Sequence, residues 1–207
     1  AESDLKLDPD IFKKYGGVGE EIDPDKDFIV VLQHPITTEY GEGFAQINQT
    51  LSAAFKHAQK GMQIIWLWPN VDAGSDDVSK GIRAFREKNN TINMRFYRNF
   101  SPEDYICLLA NAKCIVGNSS SGLRECAFLG TPCVNIGSRQ EGREKSDNVI
   151  DVNHDSNKIY EAINYQIKHG KYKKSTIVGD GKSGKKIANY LATCKTNIQK
   201  KIHYIKE

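Results

Sequence analysis

Six short apolar runs recur along this chain, each continuous rather than alternating with polar residues, and helix-like segments separate them. The runs span 28–33, 62–68, 94–97, 114–116, 133–136 and 149–152. The segments between and after them span 44–59, 77–88, 102–112, 123–129 and 157–169, and a last helix starts near Lys182 and runs to Cys194 or beyond. A strand with one wet face alternates, so a strand apolar at every position is covered on both. Strict strand–helix repetition then predicts an α/β fold, a Rossmann-like, doubly wound parallel sheet. Such a sheet takes its ligands beyond the carboxyl ends of the strands, where the motifs below fall.

A chain of 207 residues suits one full core, which we assign to residues 27–179. Residues 1–26 are polar and glycine-rich and read as a linker or interdomain segment. Within it Asp8 is placed to cap a short helix that has Pro9 in first position and stops at Gly16-Gly17. Residues 180–207 form a C-terminal helix and tail. A net charge of +3 is too small to argue for nucleic acid, and no apolar run approaches a membrane span. The five cysteines are odd in number and lack a CxxC pair, which points to a reducing, cytoplasmic setting.

The stretch 114–139 carries the most chemistry. Its first apolar run breaks at Gly117 into Asn118-Ser119-Ser120-Ser121-Gly122, a helix-like segment follows, and a second run ends at Gly137-Ser138-Arg139. Backbone N–H groups, hydroxyls and a helix start converge there, as a phosphate requires. Capping alone would explain one of these serines, but hardly Ser119, Ser120 and Ser121 followed by Gly122. Glu125, at the first turn, can accept from the two hydroxyls of a ribose or can be a solvated helix residue. Arg139 and Arg143 suit phosphate oxygens, with Glu144 to hold one of them, unless all three are loop charges.

Other candidates also follow strands. His34 closes the first run before Pro35 and can bond a phosphate or move a proton near neutral pH. Asn70, at a Pro-Asn corner, can orient a ligand through its side-chain amide or simply make the turn. Asp72 reads as a loop residue, Ser75 as a helix cap, and Trp66 and Trp68 as core or interface and not as stacking platforms. Gly179-Asp-Gly-Lys-Ser-Gly-Lys-Lys186 nearly spells a P-loop, but Lys186 stands where the magnesium-binding hydroxyl belongs.

Asn118-Ser-Ser-Ser-Gly-Leu-Arg-Glu125, Gly130-Thr-Pro132, Arg139-Gln-Glu-Gly-Arg-Glu144, Gln33-His-Pro-Ile-Thr-Thr38 and Trp68-Pro-Asn-Val-Asp-Ala-Gly-Ser75 together resemble the UDP-N-acetylglucosamine 2-epimerases, more closely their hydrolysing branch. The resemblance runs from about Asp27 to Ile187 and covers the second half of such an enzyme, one of two facing domains of GT-B type. It implies loss of the sugar's C2 proton, expulsion of UDP to leave a 2-acetamidoglucal, and addition of water to give N-acetylmannosamine for sialic acid synthesis. It implies no metal or other cofactor. UDP would be held by Ser119, Ser120, Ser121, Gly122, Glu125, Arg139 and Arg143, with Asn70 near the phosphates or sugar and the Phe100 backbone on the uracil edge. His34 would take part in the chemistry, while the acid and base carboxylates would come largely from a missing N-terminal domain. A homo-oligomer is expected of the full-length protein. A Gly-Asp-Gly turn opens the family's last helix, which accounts for the near P-loop. A GT-B glycosyltransferase half, a UDP-diacetamido sugar as substrate and a non-catalytic UDP sensor remain as alternatives.

Overall fold

The apolar runs become strands because their side chains go alternately to two covered faces, fully so in the middle of the sheet and only in part at its last strand. The computed structural model describes residues 5–195. Its parallel strands are β2 (Phe28–Leu32), β3 (Gln63–Leu67), β4 (Met94–Tyr97), β5 (Ile115–Gly117), β6 (Cys133–Ile136) and β7 (Val149–Val152). Ile29, Val31, Ile64, Trp66, Met94 and Phe96 point to one side, where they meet α2 (Gly43–Ala58), α3 (Ser75–Lys88) and α6 (Ser156–His169). Phe28, Val30, Ile65, Leu67 and Tyr97 point to the other, against α1 (Ile11–Lys14), α4 (Pro102–Asn111) and α5 (Glu125–Leu129). Each such side chain, fully buried, contributes about 1.5–3 kcal/mol.

With a two-residue strand β1 (Val18–Gly19) at one edge, the sheet order is β1-β4-β3-β2-β5-β6-β7. From β2 the chain builds outward through β3 and β4, then returns to lay β5 on the other side of β2. The crevice at the carboxyl ends of β2 and β5 is therefore the topological switch point, the place where open α/β sheets bind ligands.

The segment read as a linker is packed onto the domain from Leu7 onward. Ile11, Phe12 and Ile22 are buried against Phe28 and Tyr97, and β1 (Val18–Gly19) pairs antiparallel with β4, so the sheet is mixed at that edge. Its helix begins two residues later than the Asp8 reading placed it, with Asp10 at the cap position. Asp8 instead closes the preceding turn, accepting from the Asp10 N–H at 3.0 Å through its side chain. Ser75 is likewise not a cap, because Gly74 occupies the cap position of α3 and no side chain bonds there.

The helix predicted over 123–129 is broken. A 3-10 turn, Ser120–Gly122, comes first, Leu123 and Arg124 follow as a turn with Arg124 at the cap position, and α5 has only five residues. The last helix, α7 (Ser183–Thr193), is exposed along its length, and the expected tail from residue 196 lies outside the described residues. No strand leads into the Gly179–Lys186 stretch, where Lys186 pairs with Asp180 at 3.2 Å, so the P-loop likeness has no structural counterpart. Among the described residues no helix is long and apolar enough to cross a membrane.

Candidate active site at the sheet switch point

At the end of β2, His34 is 4% exposed, which leaves its ring few partners to choose from. The Asn70 backbone N–H, arriving from the end of β3, donates to His34 Nδ1 at 3.2 Å. A nitrogen that accepts carries no proton, so the neutral ring bears its hydrogen on Nε2. Burial, and then the nearby Arg139 guanidinium, push the imidazole down to about 4, against a smaller opposing pull from Asp72. His34 is thus a neutral donor at pH 7. Of the two roles open to it in sequence, hydrogen bonding to an anion suits this state and proton shuttling does not.

Across the crevice, β5 ends in Gly117, whose φ of +133° lets the chain leave the sheet where a Cβ would lie 2.0 Å from the Leu32 carbonyl oxygen. The serine turn follows. Ser119 Oγ accepts from the Ser121 N–H at 3.4 Å, and the N–H groups of Gly122, Leu123 and Arg124 bond back to Ser119 and Ser120 carbonyls. Hydroxyls of Ser119, Ser121 and Tyr105 form a chain, with contacts of 2.6 and 2.8 Å. Among the described residues, only the N–H groups of Ser119 and Ser120 in this turn, with the Ser120 hydroxyl, have no hydrogen-bond partner. The anion-binding capacity therefore rests on individual donors, since a five-residue α5 supplies little dipole.

Glu125 opens α5, and its Oε2 is buried without a hydrogen-bond partner. A carboxylate oxygen so placed is costly until a donor reaches it. Arg139, half-exposed, donates through Nη1 to the Asn118 carbonyl at 3.2 Å and faces Asp72 at 3.6 Å. Asp72, rather than Glu144, is its acidic neighbour. Arg143 and Glu144 are exposed and pair neither with each other nor with Arg139 among the described residues. Asn70 is exposed too, and its contribution to this arrangement is a backbone N–H. Phe100 is 8% exposed, its ring packed on Tyr15 and Tyr97 at 4.6 and 5.0 Å between centroids. Beside it a cavity of about 680 Å³ is lined by Trp68, Arg83, Arg86 and Arg98.

The crevice thus collects donors for an anion (His34 Nε2–H, the Ser119 and Ser120 N–H groups, Arg139), while the orphan acceptor Glu125 lies one turn further on, near Tyr105, and lines a separate pocket with Ile106, Arg124 and Phe128. No group of three or more His, Cys, Asp or Glu side chains among the described residues is placed to hold a metal ion.

A family model described as UDP-N-acetylglucosamine 2-epimerase matches residues 5–192. The chain belongs to that family. It is 33% identical over 185 residues to the hydrolysing UDP-N,N'-diacetylbacillosamine 2-epimerase of Legionella pneumophila, covering 89% of this chain and 46% of that protein. It is 27% identical to the UDP-N-acetylglucosamine 2-epimerase of Neisseria meningitidis, covering 82% of this chain and 42% of that one. The solved structure of a Neisseria meningitidis UDP-GlcNAc 2-epimerase bound to UDP-GlcNAc shares the fold, with TM-score 0.65 and 18% identity over 84% of this chain and 46% of that one. This chain spans less than half the length of the curated relatives it matches.

Within this epimerase-family domain, hydrogen bonds tie His34, Asn70, the serine turn and Arg139 into one frame, and leave Arg143 outside it. Sequence reasoning missed four members of that frame. Asn118 bonds both peptide groups of His34, Gln140 donates to the Asn118 carbonyl at 2.7 Å, Tyr105 ends the hydroxyl chain, and Asn148 ties Gly122 to Thr131. Only Asn118 had a signal, as a polar residue directly after a buried strand.

Proposed function

We propose that this chain is the UDP-binding half of a hydrolysing UDP-2-acetamido-sugar 2-epimerase, completed by an N-terminal domain and working in the cytoplasm as a homo-oligomer. The observation that carries the reading is the set of anion donors at the switch point of an epimerase-family domain, with the orphan carboxylate oxygen of Glu125 following in the helix just after the serine turn. UDP presents the matching groups, a diphosphate and a ribose diol.

In this reading Ser119, Ser120 and Arg139 face the phosphates, Gly122 borders them, and Ser121 braces the turn. Glu125 accepts from the ribose and the Phe100 backbone meets the uracil. Asn70 serves mainly by holding His34. His34, a neutral donor, steadies the charge that develops on UDP as its bond to the sugar C1 breaks. The C2 proton goes to a carboxylate of the other domain, and water adds to the resulting 2-acetamidoglucal. The exposed Ile187, Tyr190 and Leu191 on α7 suit a face covered by that domain.

The likeness to the Legionella protein, at 33% against 27% for the Neisseria one, favours a second reading in which the sugar is a 2,4-diacetamido hexose. Calorimetry with UDP, then a UDP-release assay with both UDP-sugars, tests these points. This chain alone is expected to bind UDP and release none from either sugar, and the complete enzyme to turn over one of them. Failure to bind UDP at millimolar concentration would overturn the assignment.

A further inference from the structure

The β2–β5 ladder ends in register at Leu32 and Gly117, yet the pairing continues one rung further by another means. Asn118, 0% exposed, lies beside the His34 backbone. Its Oδ1 accepts from the His34 N–H at 2.7 Å, and its Nδ2 donates to the His34 carbonyl at 2.9 Å. A primary amide carries the same acceptor and donor as a peptide group, so the side chain replaces the missing strand residue. Pro35 has no N–H to carry the ladder further, which makes this the last rung.

The main chain of Asn118 is equally committed. Its N–H donates to the Leu32 carbonyl at 3.2 Å, and its own carbonyl accepts from Gln140 at 2.7 Å and Arg139 at 3.2 Å. One buried neutral residue thereby joins the end of β2, the start of the serine turn and the loop after β6. An unsatisfied amide here would be expensive, and a fully satisfied one is stiff.

We propose that Asn118 is a positioning residue of the site, which fixes His34 and Arg139 relative to the turn at Ser119 without itself touching the nucleotide. The proposal rests on reading the crevice as a UDP site. The groups that face the imidazole are the Asn70 N–H, Arg139 and Asp72, so its proton stays on Nε2 only while the His34 backbone is held against them.

The test compares Asn118→Ala and Asn118→Asp with the unsubstituted intact protein. UDP affinity is read by calorimetry, the imidazole by nitrogen-15 NMR with the His34 signals assigned through His34→Gln, and folding by thermal unfolding. Asn118→Ala is expected to weaken UDP binding about tenfold or more, as small misplacements of aligned groups do. It should also replace the single Nε2–H pattern of His34 by exchange-averaged shifts. Asn118→Asp keeps the acceptor for the His34 N–H but not the donor, and serves if the alanine variant does not fold. UDP affinity within twofold of the unsubstituted protein would reduce Asn118 to a stability role and overturn the proposal. Lost affinity with the His34 pattern intact would also overturn it, pointing to direct contact with the nucleotide. If the unsubstituted protein binds no UDP, the functional reading fails on its own, and an unchanged His34 pattern in Asn118→Ala still refutes the clamp.

Discussion

Gly122 offers the sharpest check on how the serine turn sits. Its φ lies outside the left-handed region, so conformation does not demand glycine there. Space does. A Cβ added to Gly122 would lie 2.4 Å from Cys133 Sγ, while Ile115 Cγ2 and Cys133 Cβ, at 3.5 and 3.6 Å, are ordinary contacts. Cys133 is 3% exposed in β6, and burial raises its thiol to about 12, so the intruding methyl meets a neutral, packed sulfur. Gly122→Ala should therefore cost about 1–3 kcal/mol, the usual range for overpacking. Cys133→Ala removes one heavy atom and should cost about 1 kcal/mol by itself. If the sulfur is the obstacle, the double variant has room for both methyls and should be about 1–2 kcal/mol more stable than the sum of the single effects. Urea unfolding followed by circular dichroism gives all the values. Additive effects would refute the clash. A double variant restored in stability but not in UDP binding would show that Gly122 also makes room for the ligand.

Arg139→Ala should weaken UDP binding by about 1.5–3 kcal/mol in calorimetry, toward the lower end because the side chain is half-exposed and already faces Asp72. Acid should destabilise the fold through His34. Its folded value of about 4 lies below the ordinary 6.5, so the unfolded chain takes up the proton first as pH falls. That stability is complete above pH 6.5 and lost between there and pH 4, about 3 kcal/mol in all, and His34→Gln should flatten the pH–stability curve in that window. His57 and His154, lowered mainly by burial, add to the slope in the same direction and should leave a residue of it in that variant. Tyr105→Phe breaks the hydroxyl chain to Ser121 and should cost about 0.5–1.5 kcal/mol in thermal unfolding.

The parallel strands were legible because burial on both faces writes an unbroken apolar run, as in residues 28–32 and 64–67. β1 was not, because two residues, one of them glycine, carry no periodicity. The break before α5 was hidden for a different reason. Leu123 and Arg124 are good helix formers, and what delays the helix is a turn capped locally by Ser119 and held from a distance by the Tyr105 hydroxyl and by packing near Cys133. At the site, residue types showed which side chains suit phosphate. The partners that hold them did not show, since Asp72 meets Arg139 and Asn118 meets His34 only once the sheet has formed.

The two residues of β1 also decide how the sheet behaves toward other molecules. A parallel strand left bare at the margin presents a row of main-chain donors and acceptors that another polypeptide can pair with, which is how edge-to-edge aggregation begins. Val18 and Gly19 lie along that margin at β4, the Glu20 N–H extends the cover to the Met94 carbonyl at 3.2 Å, and Arg95 Nε reaches back to the Gly16 carbonyl at 2.9 Å. The pairing stops there, so the protecting strand is too short to template a further one. A shortened protein beginning at Phe28 would bare both the β4 edge and the apolar face that Ile11, Phe12 and Ile22 cover, and should precipitate at concentrations the longer chain withstands.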